Sequence, residues 1–592
     1  MTEGTQPQDE LTPAAQVGAS IPLKARASIA LGMVAVALFL LGARLSRLQV
    51  TEAERYRDLA DQQQRLSRQL SARRGSIYDR EGRLLAATVR RWSVYADPSA
   101  VEGPAKTAVL LARTLSISLQ PLREKLQKDC FFVWVKRQVS DEDAERVRNL
   151  GLSGVFLRRE NKRFYPQGKL AAHVIGFTDI DGRGLAGIER RMDALLRGRP
   201  GMESVLCDGG RRVFRSPQDR LEQPPFDGYD VHVTLDTYVQ SIVEQELATA
   251  VEKHEPEGAV AVVLDTRDGS VLAMASWPTF DPAEPAASPV ANQRNMAISD
   301  AYEFGSSFKP ISVSLSLDAG AVGPDTRFDC HQGEWQMGRR TLHDVHPYGQ
   351  LTVSDILCHS SNIGAAQISM ALGQEKLYEG IRRFGFGRPT GVALPGETGG
   401  IVRPPAAWSK YSIASIAFGQ EIAVTALGMA RAFAAFANGG ALPQPRTVKA
   451  IVHSETGKVV YTAGEPVVAA RPLGLESART VLEMMRRVVE EGTGRPARLA
   501  EYPMAGKTGT AQLLRKDGRG YGAGRYLSTF IGLAPVADCR IVVLVSVKAP
   551  SKNGYYGSVV AAPVVKNITL RTLRHMNVPQ AEPVSIALGE RP

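Results

Sequence analysis

The sequence has few cysteines, only one long apolar run and no phosphate-binding loop of the Walker type. Its five cysteines lie far apart and form no C-x-x-C pair, which excludes a dense disulfide framework. No phosphate loop of the G-x-x-x-x-G-K type occurs, and no internal repeat or low-complexity tract is evident. Hydrophobic residues make up 44% of the chain and charged residues 22%. These shares are close to ordinary globular usage, so wholesale disorder and a polytopic membrane protein are both excluded.

Length and charge set broad limits on what the chain can be. At 592 residues it exceeds what one hydrophobic core usually holds, and we expect about four domains or long modules. Lysine and arginine together exceed aspartate and glutamate by 11. This positive balance indicates anionic surroundings such as nucleic acid, phospholipid or an acidic polymer, and it does not choose among them.

An apolar segment near the N-terminus predicts a membrane anchor. Residues 27–43 are uncharged and, with their flanks, approach the ~20 residues that cross a bilayer as a helix. We predict an uncleaved anchor rather than a signal peptide, because the run begins only at Ala27 and Leu41 stands where cleavage needs a small residue. Basic residues flank both ends of the run, so charge alone leaves the orientation undecided.

Beyond the span, the sequence predicts that the membrane helix continues into water as a stalk. Residues 44–70 contain neither glycine nor proline. Their apolar residues recur at near-helical spacing: Leu45, Leu48, Tyr56, Leu59, Leu66 and Leu70. This stripe either packs on the protein's own domain or offers a docking face to another membrane protein, and the two roles are compatible.

The pattern of the remaining chain changes near residue 230. A β-rich stretch with a helical segment near 141–150 precedes this point and contains no nucleophile beside a base. After it, the pattern predicts a long helix and then a hairpin that turns at Asp268-Gly269. A buried strand at 539–547 and a closing helix at 562–576 complete this second domain.

Three short motifs in the second domain carry groups with complementary chemistry. They are Ser306-x-x-Lys309, Ser360-Ser361-Asn362 and Lys507-Thr508-Gly509-Thr510. A serine hydroxyl becomes a nucleophile when a neighbouring base takes its proton, and a lysine in a dry site can act as that base. Each motif alone is weak, because the first is compatible with an exposed helix pair and the second with a helix cap. The third suits a strand whose glycine allows close backbone approach, and the three in this order favour one shared site.

These motifs resemble those of the serine acyl-transferases that react with penicillin. Flanking stretches make the chain similar to the class B penicillin-binding proteins, and most similar to their division-specific transpeptidases: RRGSIYDREGRLLA (73–86), RFYPQGKLAAHVIGF (163–177), GLAGIE (184–189) and YYGSVVAAPVV (555–565). The resemblance covers about residues 24–576. One departure is Phe304, where the family usually has proline before Gly305-Ser306.

The resemblance implies an α+β fold in five segments. A cytoplasmic tail (1–26) and a transmembrane anchor (27–46) precede an elongated, β-rich, non-catalytic pedestal of the dimerisation type (47–230). The transpeptidase domain (231–576) is expected to have an antiparallel sheet with helices on both sides, as in serine β-lactamases, followed by a flexible tail (577–592). Several pedestal residues match family motifs that support the fold rather than catalysis: Arg74, Gly75, Asp79, Arg80, Gly82, Tyr165, Pro166, His173, Gly176, Gly187 and Glu189.

The resemblance also implies five catalytic roles. Ser306 would form the acyl-enzyme, and Lys309 would serve as its base. Ser360 would relay protons between Lys309 and the leaving amine. Asn362 would hold the side-chain amide of the donor peptide, while Lys507 would keep Ser360 oriented and lend positive charge.

Substrate binding is expected along residues 507–510. Thr508 or Thr510 would bind the terminal carboxylate of the substrate. The strand, with Gly509 at its centre, would pair with the extended peptide as an added strand. Backbone N–H groups of Ser306 and Thr510 would hold the oxyanion.

The function implied is that of a peptidoglycan D,D-transpeptidase that cross-links stem peptides of the septal wall and is inhibited covalently by β-lactam antibiotics. No metal or cofactor is expected. Expected partners are the stem peptides, a membrane glycan polymerase of the FtsW type and other division proteins, and no nucleic acid. Because the substrate is wall material, the catalytic domain is expected on the periplasmic side of the bacterial inner membrane, at the septum.

Three alternatives remain open from the sequence. Only the resemblance distinguishes a division enzyme from an elongation-type transpeptidase, because no physical feature of the sequence does so. A hydrolase is disfavoured, because the pedestal is more than a small secreted hydrolase needs and no deacylating E-x-x-L-N-like element is evident between 362 and 507. A penicillin-binding sensor or scaffold without turnover is disfavoured by the intact Ser306, Lys309 and Lys507.

A group of cysteine and histidine residues before the second motif allows two further interpretations. Cys330, His343, His346 and Cys358 fall within 29 residues. They could hold zinc, or the two cysteines could form a disulfide in an oxidising compartment. The spacing lacks the short ligand pairs of structural zinc sites, so separate side chains are favoured.

Overall fold

The computed structural model describes residues 22–207, 213–214, 220–515 and 520–581. Contacts divide the chain into two compact units. The first comprises Met1–Leu70 and Gly201–Pro224, and the second comprises Ser71–Pro200 and Pro225–Pro592. The predicted tail at 1–26 lies largely outside the described residues.

The described secondary structure alternates short strands and helices along the whole chain. The α-helices are α1 (Leu23–Ser46), α2 (Ala53–Gln64), α3 (Pro104–Leu115), α4 (Leu119–Leu126), α5 (Asp141–Asn149), α6 (Ala172–Ile175), α7 (Gly187–Arg191), α8 (Asp193–Leu196), α9 (Thr237–His254), α10 (Met296–Ser299), α11 (Lys309–Asp318), α12 (Val353–His359), α13 (Asn362–Leu372), α14 (Gln374–Arg383), α15 (Ser412–Ala417), α16 (Ala426–Ala437), α17 (Leu475–Glu490), α18 (Gly557–Val560) and α19 (Ala562–His575). The strands are β1 (Arg65–Leu70), β2 (Ile77–Tyr78), β3 (Leu84–Ala96), β4 (Val133–Val139), β5 (Val155–Phe164), β6 (Gly201–Cys207), β7 (Val213–Phe214), β8 (Arg220–Gln223), β9 (Asp230–Val233), β10 (Gly258–Asp265), β11 (Val271–Trp277), β12 (Arg327–Asp329), β13 (Glu334–Met337), β14 (Arg340–His343), β15 (Gln350–Thr352), β16 (Leu442–Pro443), β17 (Val448–Val452), β18 (Val459–Thr462), β19 (Val468–Ala470), β20 (Ala505–Leu514), β21 (Tyr521–Ala534) and β22 (Ile541–Lys548).

The first unit contains a helix suited to crossing a membrane. From Leu23 to Thr51 the chain is helical over 29 residues, and its most apolar window has a mean hydropathy of 2.1 with no buried side chain. A short π-helical turn at Arg47–Thr51 links α1 to α2. This length and composition are those expected of a single membrane anchor.

The prediction of a helix reaching Leu70 is wrong beyond Gln64. Residues Arg65–Leu70 form β1, which pairs antiparallel with β6 in a register that runs from Arg65 opposite Leu206 to Leu70 opposite Gly201. The other edge of β6 pairs with β7 and β8. Pairing with β1 therefore satisfies backbone groups of β6 on its remaining side, and this long-range contact overrides the local helical pattern.

The second unit contains a seven-stranded sheet in the order β18-β17-β9-β2-β3-β4, with β5 beside β3. It joins strands from both sides of residue 230, where the sequence predicted a domain boundary. The strands from the two sides are joined where β2 pairs in parallel with β9, with Ile77 opposite Val231. The pedestal strands and the hairpin β17–β18 thus share one hydrogen-bonded layer.

A buried ion-pair cluster lies at the start of the pedestal strands. Glu189 is completely buried and accepts hydrogen bonds from Nε of Arg74 at 2.7 Å and from Nε of Arg163 at 2.6 Å. Arg163 also donates to the carbonyl of Gly75 at 2.7 Å. Nη1 of Arg74 also pairs with Asp193 at 2.6 Å. Two arginines and two carboxylates are therefore hydrogen-bonded together, which is the condition under which buried charges are tolerated.

A five-stranded antiparallel sheet in the order β11-β10-β22-β21-β20 forms the centre of the second domain. Along β10, alternate side chains enter two separate hydrophobic clusters. Val260 and Val262 belong to the cluster that includes residues of α11 and α16, whereas Ala261 and Val263 pack with α9 and α19. This period of two shows that helices cover both faces. The α+β fold with an antiparallel sheet between helical layers is confirmed.

Local elements that the sequence predicted with strong signals are confirmed. The hairpin β10–β11 turns at Asp268-Gly269, α5 covers the segment near 141–150, and β22 and α19 close the domain. The first residues of the predicted tail contact the domain, since the carbonyl of Val578 accepts a hydrogen bond from the Tyr502 hydroxyl at 3.0 Å. Residues 582–592 of that tail lie outside the described residues.

Candidate active site

The first motif lies on a short 3-10 turn that leads into α11. Gly305–Phe308 forms the turn, with a φ of +54° at Gly305, a conformation that favours glycine. Ser306 is partly exposed, whereas Ser307 and Lys309 are completely buried. Phe304, in place of the usual proline, is also buried, and the turn forms with this side chain in the core.

Strand β20 carries the third motif and lies directly against this turn. A β-carbon at Gly509 would stand 2.4 Å from Oγ of Ser307 and 2.5 Å from the carbonyl oxygen of Phe304. Any side chain at this position would therefore push the strand away from the nucleophile turn. The glycine sets the distance between residues 507–510 and Ser306.

Two lysine side chains converge on the hydroxyl of Ser360. Nζ of Lys507 donates to Oγ of Ser360 at 2.9 Å, and Nζ of Lys309 lies 3.2 Å from the same oxygen. Lys309 also donates to Oδ1 of Asn362 at 2.9 Å and to the carbonyl oxygen of Ser360. Lys309, Asn362 and Lys507 are thus linked by hydrogen bonds around Ser360, and Ser306 lies on the turn that immediately precedes Lys309. Ser360 itself follows α12 with a φ of +65°.

Burial lowers the pKa of both lysine side chains. Removal of Lys309 from water lowers its pKa from the ordinary value to about 7, although the carboxylate of Asp344 opposes the change. The pKa of Lys507 is also lowered, first by burial and second by the positive charge of Lys309. Two ammonium groups around one hydroxyl repel each other, so the site favours a state in which at least one lysine is a neutral base.

The second motif is held by a residue that the sequence analysis did not identify. Oδ1 of Asp344 accepts hydrogen bonds from the backbone N–H groups of Asn362 and Ile363, and Oδ2 accepts from Oγ of Ser361 at 2.5 Å. Ser361 in turn caps α13 by accepting from the N–H of Gly364. Asp344 therefore fixes the start of α13 and with it the side chain of Asn362.

The threonines of the third motif have different surroundings. Oγ1 of Thr508 is buried 2.8 Å from Oγ1 of Thr493, a second residue that the sequence analysis missed. Oγ1 of Thr510 accepts from the N–H of Gly557 at 3.0 Å and is partly exposed. The hydroxyl proton of Thr510 thus remains available at the surface of the cleft, which favours it over Thr508 as the substrate-facing hydroxyl.

The cysteine and histidine group near the second motif forms neither a disulfide nor a cluster of metal-ligating side chains within the described ranges. Sγ of Cys330 lies 3.4 Å from Oγ of Ser361, while Sγ of Cys358 donates to the carbonyl of Arg487. His343 and His346 are exposed on the loop that carries Asp344. The four side chains therefore act separately here.

The family model for the penicillin binding protein transpeptidase domain matches residues 259–570, more than half of the chain. The chain belongs to this family. A second model, for the penicillin-binding protein dimerisation domain, matches residues 69–233. The catalytic domain of this penicillin-binding protein is therefore of the serine transpeptidase type, and its N-terminal region is of the dimerisation type.

Similar proteins include transpeptidases from several bacteria. The probable peptidoglycan D,D-transpeptidase PenA of Neisseria meningitidis is 33% identical, with 96% of each chain covered. The peptidoglycan D,D-transpeptidase FtsI of Escherichia coli is 31% identical over 96% of this chain and 94% of its own. Among solved structures, penicillin binding protein 3 of Mycobacterium tuberculosis in complex with aztreonam is 30% identical, with a TM-score of 0.68, and the match covers 87% of this chain and 99% of that one.

Asp344→Asn should slow covalent labelling by penicillin about tenfold at the pH optimum, because charge-assisted hydrogen bonds that hold Asn362 are lost. The same change should move the acidic limb of the pH profile to lower pH, because the carboxylate raises the pKa of Lys309. Labelling rates measured from pH 5 to 9 test both effects. His346→Ala, on the same loop, should behave like the wild type. An unchanged midpoint in Asp344→Asn would contradict this coupling.

Proposed function

We propose that this penicillin-binding protein is a peptidoglycan D,D-transpeptidase that works through a serine acyl-enzyme at Ser306. The observation that carries the proposal is the convergence of two buried lysines on Ser360, beside the turn that presents Ser306. A buried amine with a pKa near 7 is a competent general base at neutral pH. If the two lysines served only to stabilise the fold, their burial would cost desolvation free energy that apolar side chains in the same positions would avoid.

The first half of the reaction is acyl transfer to the enzyme. Oγ of Ser306 attacks the carbonyl carbon of the penultimate D-alanine, and its proton passes to neutral Lys309. The C–N bond to the terminal D-alanine then breaks, and the leaving amine receives a proton from the hydroxyl of Ser360. Ser360 is reprotonated by Lys309, which lies 3.2 Å away. The products are an ester at Ser306 and free D-alanine.

The second half passes the acyl group to an amine of a neighbouring stem peptide. The amine attacks the ester carbonyl and gives up a proton through Ser360 to Lys309. The C–O bond to Ser306 breaks, and its oxygen regains the proton from Lys309. The new amide is the cross-link. Proton transfer between Ser360 and Lys309 follows a contact already present in the site, and Ser306 stands three residues before Lys309.

Substrate binding uses the strand and the second motif. Residues 507–510 lie on β20, the last strand of the five-stranded sheet, and would offer an extended backbone to the donor peptide. Thr510 would bind the terminal carboxylate of that peptide. Nδ2 of Asn362 is held by the carbonyl of His343 at 3.0 Å, which orients the amide toward the donor peptide. Backbone N–H groups of Ser306 and Thr510 form the oxyanion hole. β-Lactams would acylate Ser306 by the same route.

The anchor places this chemistry at a membrane. We infer a single-pass protein of the bacterial inner membrane, with its catalytic domain in the periplasm and its site of action at the division septum. Support comes from the apolar helix and from similarity to FtsI of Escherichia coli. The apolar stripe remains exposed along α1 and α2, where Leu45 is 52% exposed and Leu59 44% exposed. This stripe is suited to a membrane-embedded glycan polymerase of the FtsW type.

Ser306→Ala should abolish covalent labelling of the full-length protein by a fluorescent penicillin, because the hydroxyl oxygen forms the bond. Ser307→Ala is the matched control: its hydroxyl is buried without a hydrogen-bond partner, so its loss should leave labelling nearly unchanged. Lys309→Ala should slow labelling by a factor of about 100 or more for lack of a base. Stoichiometric labelling of Ser306→Ala would refute the assignment. Labelling without release of D-alanine from a stem-peptide substrate would instead favour a sensor.

The rate of penicillin labelling should rise with pH and level off above about pH 7. Lys309 accepts a proton only when neutral, and its pKa is about 7, so protonation at lower pH removes the base. Well below that pKa, each further unit of acidity should reduce the rate about tenfold. Stopped-flow labelling between pH 5 and 9 measures this limb. A flat profile over that range would contradict Lys309 as the base.

Replacing residues 27–46 with an unrelated apolar helix should preserve anchoring and penicillin labelling but impair septal wall synthesis. Leu59→Glu should act similarly, because it puts a charge into the exposed apolar stripe. Complementation of a division-deficient strain and copurification with the glycan polymerase provide the readouts. Full complementation by the span-swapped protein would show that the helix serves only as an anchor.

A further inference from the structure

Arg431 is a buried arginine whose charge has no carboxylate partner among the described residues. It lies on α16 and is 6% exposed. Its Nε donates to the carbonyl oxygen of Pro443 at 2.9 Å. Neither Nη group has a hydrogen-bond acceptor or an ion pair within the described ranges. Nη1 lies beside Gly385, where an added β-carbon would stand 3.1 Å from that nitrogen.

The guanidinium faces a small cavity at the N-terminus of α16. The cavity has a volume of about 10 Å³ and is lined by residues that include Gly385, Arg388, Thr425 and Gly428, together with Arg431. Such a volume holds a single atom-sized ligand.

The lining of the cavity is positive and rich in hydrogen-bond donors. No aspartate or glutamate belongs to the lining. Oγ1 of Thr425 accepts the N–H of Gly428 at 3.0 Å, which leaves the hydroxyl proton of Thr425 free to donate. The N-terminus of a twelve-residue helix adds a partial positive charge.

The carboxylate of Glu397, whose charge acts on Arg431, already accepts hydrogen bonds from other residues. Oε1 of Glu397 accepts hydrogen bonds from the backbone and the hydroxyl of Thr390, and Oε2 accepts from the N–H of Gly391 at 3.0 Å. Burial lowers the pKa of Arg431 to about 10, so the side chain remains charged at neutral pH. A water molecule could fill the cavity but would leave that charge uncompensated, at a cost in free energy.

We propose that the cavity beside Arg431 binds a chloride ion, held by the Nη groups of Arg431 and the hydroxyl of Thr425. The ion supplies the negative charge that the buried guanidinium otherwise lacks. A monatomic ion is the most compact of the common anions, and its ligands are the donors that line the cavity.

The site lies one layer behind the nucleophile turn. Phe386, which lines the cavity, packs against Phe308 with ring centroids 5.5 Å apart. Phe308 ends the 3-10 turn that holds Ser306. A bound chloride therefore stabilises the wall on which this turn rests, and its loss should lower the stability of the catalytic domain.

Thermal unfolding of the full-length protein in detergent tests the proposal. Sodium chloride is varied against sodium gluconate at constant ionic strength, and bromide replaces chloride in a parallel series. The wild type should gain about 2 °C or more in Tm, in a saturable manner, with either halide. Arg479→Gln, which removes an exposed arginine on α17, should keep the gain, whereas Arg431→Gln should lose it.

Crystals of the wild type grown in sodium bromide provide a second measurement that does not require the variant to fold. An anomalous peak within about 3.5 Å of the Nη groups of Arg431 supports the site when it accompanies the halide-dependent gain in Tm. Density for a water molecule without anomalous signal overturns the proposal. Equal Tm values in halide and gluconate also overturn it, as does a gain that Arg431→Gln retains.

Discussion

The site depends on one constraint, the burial of two lysine amines against a single hydroxyl. Lys309 and Lys507 both lie within hydrogen-bond reach of Oγ of Ser360 and both are completely buried. A change in the pKa of Lys309 from 10.5 to about 7 corresponds to a cost of roughly 5 kcal/mol at and below neutral pH, because the unfolded chain binds the proton more tightly. The cost falls as pH rises toward the unfolded value. The rest of the domain must supply that free energy, and in return it holds a base ready at neutral pH.

The fold meets this constraint by bringing together three segments that are distant in sequence. These segments are the turn that carries Ser306, the start of α13 and strand β20. Gly509 permits the close approach of β20 to the turn, and Asp344 holds the start of α13. The five-stranded sheet, packed on both faces, makes β20 rigid enough to keep Lys507 in place.

Local patterns predicted much of this arrangement, and long-range contacts account for what they missed. The hairpin at Asp268-Gly269 and the helix α19 have strong short-range signals, and the three motifs identified the residues around Ser360. Residues 65–70 carry a helical pattern but form β1, because β6, more than 130 residues later, offers an edge to pair with. Asp344 lies in an ordinary loop sequence, and its role depends on N–H groups of α13 that no spacing rule reveals.

Buried cationic side chains in this protein are compensated in three different ways. Arg74 and Arg163 share the carboxylate of Glu189, and Arg74 also pairs with Asp193, so ion pairs compensate their charges. Lysine can instead lose its proton, and burial lowers the pKa of Lys309 to about 7, so this can occur near neutral pH. Arginine has no such route at neutral pH, so a guanidinium buried without a carboxylate, as in Arg431, requires an anion from solution. The choice among the three follows from side-chain basicity and from whether a carboxylate lies within reach.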